Sequence, residues 1–89
     1  MKAIVTVVGN DKVGIIARVS AKLAECEINI LDISQTIMQD IFTMMMVVDI
    51  DNCISEFKEL SEKLSEKGQE LGVDIKIQRA KIFESMHRI

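Results

Sequence analysis

A short loop near the N-terminus, Gly9 to Gly14 (GNDKVG), combines residue types that could bind a small zwitterion. The loop joins an apolar, β-branched run to a segment with helical periodicity, so it leads into a helix N-terminus. Free backbone N–H groups and the helix dipole attract a carboxylate there. Asp11 could bind an ammonium group, and the amide of Asn10 can donate and accept hydrogen bonds. A purely structural role also fits, in which Asn10 or Asp11 caps the helix and the glycines serve the turn.

The other reactive side chains offer little catalytic chemistry. His87 is the only histidine and stands near the C-terminus, where a general base rarely finds a partner and a pocket. Cys26 lies between Glu25 and Glu27, whose negative charges disfavour a nucleophilic thiolate. Cys26 and Cys53 form no CxxC pair, and we expect both to be small buried hydrophobic residues. We therefore expect no enzyme, no cofactor and no metal ion.

The composition excludes several classes of partner. The 89 residues include 11 basic and 14 acidic side chains, three Phe, and neither Trp nor Tyr. Nucleic-acid and membrane-surface binders need basic patches, and single-strand binders need stacking aromatics, so we expect no nucleic acid and no membrane as partner. No apolar run approaches the ~18 residues of a membrane span, and the N-terminal run is too short for a secretory leader. We expect one small cytoplasmic domain with a thin core.

Hydropathy periodicity predicts the elements that position the loop. The first and third predicted strands are apolar at both parities and should be central, whereas the second and fourth carry polar residues and should form the edges. This predicts an α+β ferredoxin-like βαββαβ sandwich, with an antiparallel four-stranded sheet in the order 4-1-3-2 and two helices on one face. The predicted elements are strand Lys2–Val8, helix Gly14–Glu25, strand Ile28–Met38, strand Ile41–Asp49, a helix that begins near Asp51, Asn52 or Ser55 and ends at Gly72, strand Val73–Arg79, and a short C-terminal amphipathic helix Lys81–Ile89.

Two strands contain irregular apolar patterns. In the second strand, Ile28 and Ile30 share one parity, whereas Leu31, Ile33 and Ile37 share the other. One face cannot accept both sets in a regular strand, so we expect a bulge or a late strand start near Ile30. In the third strand the run of three methionines, residues 44–46, is interpreted as flexible core filling rather than as a metal-binding or docking patch.

The predicted helices leave one face of the sheet open. Ile4 and Val8 on the first strand, and Met45 and Val47 on the third, share a parity opposite to that of their apolar neighbours. A monomer rarely exposes so much aliphatic surface in one patch, so we expect a homo-oligomer, most simply a dimer, in which a second copy buries this face. The alternative is that the C-terminal helix covers it.

The loop and the start of the second strand resemble those of ACT domains, the small regulatory modules of amino-acid metabolism. ACT domains carry the pattern D-[RK]-x-G-[IL] after the first strand and an "IN" pair at the second. The matching residues here are Asp11, Lys12, Gly14, Ile15, Ile28 and Asn29. The resemblance covers residues 1–80, and residues 81–89 form a C-terminal extension. Its FxxMHRI ending is similar to that of a group of stand-alone ACT proteins of bacteria and archaea.

The resemblance implies a non-enzymatic regulatory module that binds an amino acid or a similar small ligand at a subunit interface. One subunit would contribute the loop before the first helix, and its neighbour would contribute the start of the second strand. ACT domains usually regulate an attached domain, so this chain would regulate another protein in trans. The alternative is a structural or protein-binding dimer without a small-molecule ligand. The implied ligand-binding residues are Asn10, Asp11, Val13, Gly14 and Ile15, with Asn29, Ile30 and Leu31 opposite.

Overall fold

The computed structural model describes residues 2–10, 14–53 and 56–79. The short C-terminal helix predicted over Lys81–Ile89 lies outside these residues. Apart from the start of the second helix, each described boundary lies within one residue of its prediction. The elements are β1 (Lys2–Gly9), α1 (Ile15–Glu25), β2 (Asn29–Met38), β3 (Ile41–Asp49), α2 (Phe57–Leu71) and β4 (Asp74–Arg79).

In the described part of the chain, four strands form one antiparallel sheet in the order β2-β3-β1-β4. This order, counted from the other edge, confirms the predicted 4-1-3-2 arrangement and the ferredoxin-like fold. β1 pairs with β3 along its whole length and with β4 on its other side. The strands that are apolar at both parities are therefore central, where one set of side chains faces the helices and the other faces away.

β2 contains the bulge that its sequence predicts. Its register against β3 shifts between Ile30 and Asp32, so Leu31 is the extra residue. The shift brings Ile30, Ile33 and Ile37 to one face, because each pairs with a β3 residue that is buried under the helices. In a regular strand Ile30 would face the opposite side from Ile33 and Ile37. One inserted residue, Leu31, puts all three on the same face.

The core lies between the two helices and one face of the sheet. Apolar residues spaced three or four apart place one stripe of each helix on the sheet. These stripes bury Ile15, Val19 and Leu23 of α1 and Leu60, Leu64 and Gly68 of α2. The buried strand residues are Ala3, Val5, Val7, Phe42, Met44, Met46, Val48, Ile75 and Ile77.

The methionine run divides between the two faces of the sheet. Met44 and Met46 are fully buried core residues, as predicted, whereas Met45 faces away from the helices and is 40% exposed.

The prediction for the cysteines was only partly right. Cys26 and Cys53 are free thiols, but they are half-buried rather than buried, because each lies in a turn at the margin of the core.

α2 begins later than its sequence predicts. Its N-cap is Glu56, whereas the prediction placed the start near Asp51, Asn52 or Ser55. The polar residues after β3 close a turn instead: the N–H of Asp51 donates to Oδ1 of Asp49 at 2.9 Å. The end of α2 is as predicted, since Gly72 is the C-cap residue in the left-handed conformation, with φ 76°.

Candidate functional site

The end of β1 and the start of α1 meet at one end of the sheet. Gly14 is the N-cap residue of α1, with φ 72° and ψ −5°. Its carbonyl accepts the hydrogen bond of the Arg18 N–H at 3.1 Å. Gly14 thus holds the position that the structural alternative assigned to Asn10 or Asp11. Asp11 and Val13, two of the predicted ligand-binding residues, lie outside the described residues, as does Lys12.

Ile15, another of the predicted ligand-binding residues, has a buried side chain. Its side chain is only 5% exposed and belongs to the core. It therefore anchors the first turn of α1 to the sheet, and only its backbone N–H can face a ligand. The contact of Ile15 with a ligand stays a prediction, and it would have to come from the backbone.

The N-terminus of α1 presents the positive end of the helix dipole. The first N–H groups of any helix lack acceptors within the helix, and the dipole concentrates partial positive charge around them. Gly14 has no side chain to cap them, and the first turn of α1 contains no acidic residue. A Cβ atom built on Gly14 would meet none of the described residues beyond its chain neighbours within 4 Å. This arrangement can accept a carboxylate.

The second half of the predicted site lies at the other end of the sheet. Asn29 pairs with Asp49, and Asp49 pairs with Lys2 at the beginning of β1, whereas Asn10 follows the end of β1. β1 has eight residues, so its ends are roughly 23 Å apart at about 3.3 Å per residue. The fold therefore does not bring Asn29 close to Asn10 within one chain.

The residues at the start of β2 are accessible on the surface. Asn29 is exposed, Ile30 is half-buried, and the bulge residue Leu31 is 52% exposed. β2 pairs only with β3, so its other side is a sheet edge along its full length. Another chain can reach these residues from that side.

A groove beside Asn10 was missed by the sequence reasoning. It has a volume of about 420 Å³ and lies between the end of β1 and the C-terminal end of α2. A Cβ atom on Gly9 would lie 2.5 Å from Cγ1 of Val73, and one on Gly68 would lie 2.7 Å from the Val73 carbonyl oxygen. These glycines permit close packing around Val73. The sequence feature that could have indicated this groove is Gly68, a glycine on the otherwise apolar stripe of α2. The groove is lined by Val8, Gly9, Asn10, Ile41, Gly68, Gln69, Gly72, Val73 and Asp74.

The turn after β3 holds a carboxylate in its charged form. The hydrogen bond from the Asp51 N–H lowers the pKa of Asp49 below its usual value of 3.8. Asp49 therefore stays ionised at neutral pH, close to the start of β2.

Residues 2–10, 14–53 and 56–79 contain neither a metal-binding cluster nor a membrane-spanning helix. No group of three His, Cys, Asp or Glu side chains there could hold a metal ion. Neither of the helices in these ranges is long and apolar enough to cross a membrane.

Known proteins resemble this chain over nearly its whole length. A family model described as "ACT domain" matches residues 2–78. The chain is 60% identical over 89 residues to a UPF0237 protein of Clostridium acetobutylicum, with 100% of both chains covered. It is 49% identical over 88 residues to a UPF0237 protein of Methanocaldococcus jannaschii, covering 99% of this chain and 98% of that protein.

Solved structures show the same fold. An ACT domain protein from Streptococcus pneumoniae has a TM-score of 0.85 and 54% identity, with 94% of each chain covered. A putative glycine cleavage system transcriptional repressor has a TM-score of 0.77 at 18% identity, covering 86% of this chain and 45% of that one. At that identity the likeness shows the fold alone.

Proposed function

Since the chain belongs to the ACT domain family, whose members are regulatory ligand-binding modules, we propose that it binds an amino acid or a similar zwitterion between two copies of itself. It acts as a regulator rather than as an enzyme. The observation that carries this proposal is the start of α1, where the exposed N-cap residue Gly14 supplies no side chain to the first N–H groups.

The carboxylate of the ligand lies at the start of α1. The backbone N–H groups of the first turn donate to it, and the positive end of the dipole adds a favourable charge interaction. Gly14 allows close approach, because a larger residue would place its side chain in the space that the ligand occupies. The first turn contains no acidic residue that would compete for the same N–H groups.

The ammonium group of the ligand lies against Asp11 of the same copy or Asn29 of the other copy. A carboxylate or an amide oxygen accepts the hydrogen bonds of an ammonium, and a charged hydrogen bond contributes about 1.5–3 kcal/mol. Ile30 and Leu31 follow Asn29 at the exposed start of β2 and supply apolar contacts.

A second copy is needed because the two halves of the site lie at opposite ends of one sheet. The β2 edge supports this arrangement. Every residue from 31 to 40 is exposed, including Ile33 at 39% and Ile37 at 56%, and the strand contains neither Pro nor Lys to discourage pairing. Antiparallel pairing of two β2 strands would bring the start of β2 in one copy towards the loop end of the other.

The regulated protein is a separate chain in the same compartment, for which we propose the cytoplasm. The relative from Clostridium acetobutylicum is matched over 100% of its own length. That relative therefore carries no additional domain for the ACT unit to regulate, which supports regulation in trans.

The test begins with isothermal titration calorimetry of the full chain against the twenty amino acids, with sedimentation equilibrium to measure the oligomer. We expect a dimer that binds one amino acid or one chemical group of them. A stable dimer that binds none of them would contradict the proposal for amino acids and favour the structural or protein-binding alternative.

The Asp11→Asn and Asn29→Ala variants then locate the ligand. Each should weaken binding by roughly tenfold to a hundredfold, with little change in melting temperature. The control is Glu62→Gln, which removes a charge from the exposed side of α2 and should leave the affinity unchanged. A mixture of the two site variants should regain binding, because each mixed dimer carries one site with both residues intact. If no binding returns although the subunits have exchanged, the site is not shared between copies.

A further inference from the structure

The face of the sheet opposite the helices carries a narrow apolar stripe. Its residues alternate with the buried ones on the two central strands, and all of them are at least partly exposed. Met45 at 40% and Val8 at 37% are the most exposed of them. This set, called the open-face stripe below, consists of Ile4, Thr6 and Val8 on β1 and Thr43, Met45 and Val47 on β3.

Polar residues border the open-face stripe on both sides. The registers of β2 and β4 place an exposed polar residue next to each position of the stripe. Over these positions the apolar part is two strands wide, about 10 Å with its side chains, since neighbouring strands lie about 4.8 Å apart. Beyond Val8 the same face continues with the exposed pair Met38 and Ile41 at the turn between β2 and β3. A second sheet stacked on this face would also cover the polar borders. An α-helix, about 10 Å in diameter, matches the stripe alone. The bordering residues are Asp32, Ser34 and Thr36 on β2 and Asp74, Lys76 and Gln78 on β4.

The chain itself contains a helix-forming segment that starts beside the stripe. β4 ends at Arg79, which pairs with Ala3 next to the Ile4 end of the stripe. The guanidinium carbon of Arg79 lies 4.6 Å from the centre of the Phe57 ring, so this residue faces the helix side. Strand alternation would turn the following residue towards the open face. Residues 80–89, which lie outside the described structure, have the sequence AKIFESMHRI, with apolar residues at helical spacing.

We propose that residues 80–89 form an amphipathic helix that lies along the open-face stripe of the same chain. Its apolar side is formed by Ile82, Phe83, Met86 and Ile89. This placement is independent of the proposed ligand site, because the β2 edge stays free for a second copy.

The proposed helix and the open-face stripe have similar lengths. Residues 82 to 89 rise by roughly 10 Å in a helix, and the stripe from Ile4 to Val8 is roughly 13 Å long. The positions along them also agree: Met86 lies about 6 Å beyond Ile82, and Met45, which pairs with Thr6, lies about 6.6 Å beyond Ile4 along the strands. In the proposed placement Ile82 lies over Ile4, and these spacings then put Met86 over Met45.

The experiment is disulfide trapping in the full chain. The native thiols are removed by Cys26→Ser and Cys53→Ser, and a new pair is introduced by Met45→Cys and Met86→Cys. The control pair is Gln35→Cys with Met86→Cys, because Gln35 is also exposed but pairs with Met44 and so lies on the helix side. Equal amounts of ¹⁴N- and ¹⁵N-labelled protein are mixed before oxidation, so mass spectrometry of the linked peptides separates bonds within one copy from bonds between copies.

We expect a bond between positions 45 and 86 within one copy, formed at least about tenfold faster than in the control pair. A bond between two copies of position 45 would show that a second copy covers this face and would overturn the proposal. A 45–86 bond between copies would overturn the same-chain placement. A rate equal to that of the control would overturn the docking itself.

A second pair of variants guards against misfolding of the cysteine mutants. Met86→Asp puts a carboxylate on the apolar side of the proposed helix, whereas Arg88→Asp puts the same group about 160° away around the helix, on its polar side. We expect the melting temperature to fall by at least about 4 °C for Met86→Asp alone. Equal melting temperatures for the two variants would contradict the docking.

Discussion

The two helices of the described chain begin in opposite ways. α1 starts from Gly14 in the left-handed conformation and has no acidic residue in its first turn. α2 follows Glu56 in an extended conformation and has Glu59 in its first turn. The carboxylates of α2 offset the positive end of its own dipole, whereas the first turn of α1 contains nothing that does so. The difference indicates that α2 starts in a way that favours stability and α1 starts in a way that leaves room for an anion.

The largest effect should come from giving α1 the charge pattern of α2. Ala17 is an exposed residue in the first turn of α1, and Ala17→Glu adds a carboxylate beside its free N–H groups. This side chain should compete with the ligand and weaken amino-acid binding by roughly tenfold to a hundredfold in calorimetry. The fold should keep its stability, because a dipole gain of about 0.3–1 kcal/mol offsets the lower helix propensity of Glu.

Ala21→Glu is the matched control for that substitution. It adds the same residue to the same helix at an exposed position beyond the first turn, so affinity should stay as in the natural chain. Equal loss of affinity in both variants would mean that net charge, rather than the helix start, controls binding.

The next largest effect should come from Gly14. Its φ of 72° costs other residues about 1–2 kcal/mol, and a β-branched side chain is especially disfavoured there. Gly14→Val should therefore lower the free energy of unfolding by at least that amount and place methyl groups in the ligand's space. Gly14→Asn tolerates the conformation better and separates the two effects. An affinity in Gly14→Val equal to that of the natural chain would show that the ligand lies elsewhere.

A smaller effect is expected at the start of α2. Glu59→Gln removes the charge from its first turn, so the free energy of unfolding should fall by about 0.3–1 kcal/mol in low-salt urea titrations. Salt should reduce the difference between the variant and the natural chain, and amino-acid affinity should not change. A loss of affinity here would contradict the division of roles between the helices.

The smallest effect concerns the turn that leads from β3 towards α2. Because the pKa of Asp49 is lowered in the folded chain, its stabilising effect is present above the usual value of 3.8 and is lost as the pH falls through the folded value. Urea titrations from about pH 5 to about pH 2 should show a shallower loss of stability in Asp49→Asn than in the natural chain. Parallel curves would mean that the Asp51 hydrogen bond does not hold this carboxylate.

The fold was predictable because its evidence is local in the sequence. The mixed parity of Ile30 and Ile33 required a bulge, and the doubly apolar central strands fixed the sheet order. The start of α2 was not predictable in the same way, because Asp51 can either cap a helix or close a turn, and only the backbone around Asp49 decides between them. The ligand-binding residues follow from the resemblance to ACT domains and not from local periodicity, and because Asn29 and Asn10 lie at opposite ends of one sheet the shared site stays a prediction.

That separation of roughly 23 Å between the ends of β1 has a quantitative consequence for a regulator. In the proposed shared site, a single copy would hold two unmatched half-sites, and two copies together would hold two complete ones. Ligand binding and dimerisation would then be linked, so that the occupancy of the proposed site would depend on how much of the protein the cell makes as well as on how much amino acid is present. At low protein levels the ligand promotes assembly, and at high levels it fills sites that already exist. When the protein is scarce, the occupancy of the site would rise steeply with ligand concentration. When the protein is abundant, the occupancy would follow a simple saturation curve.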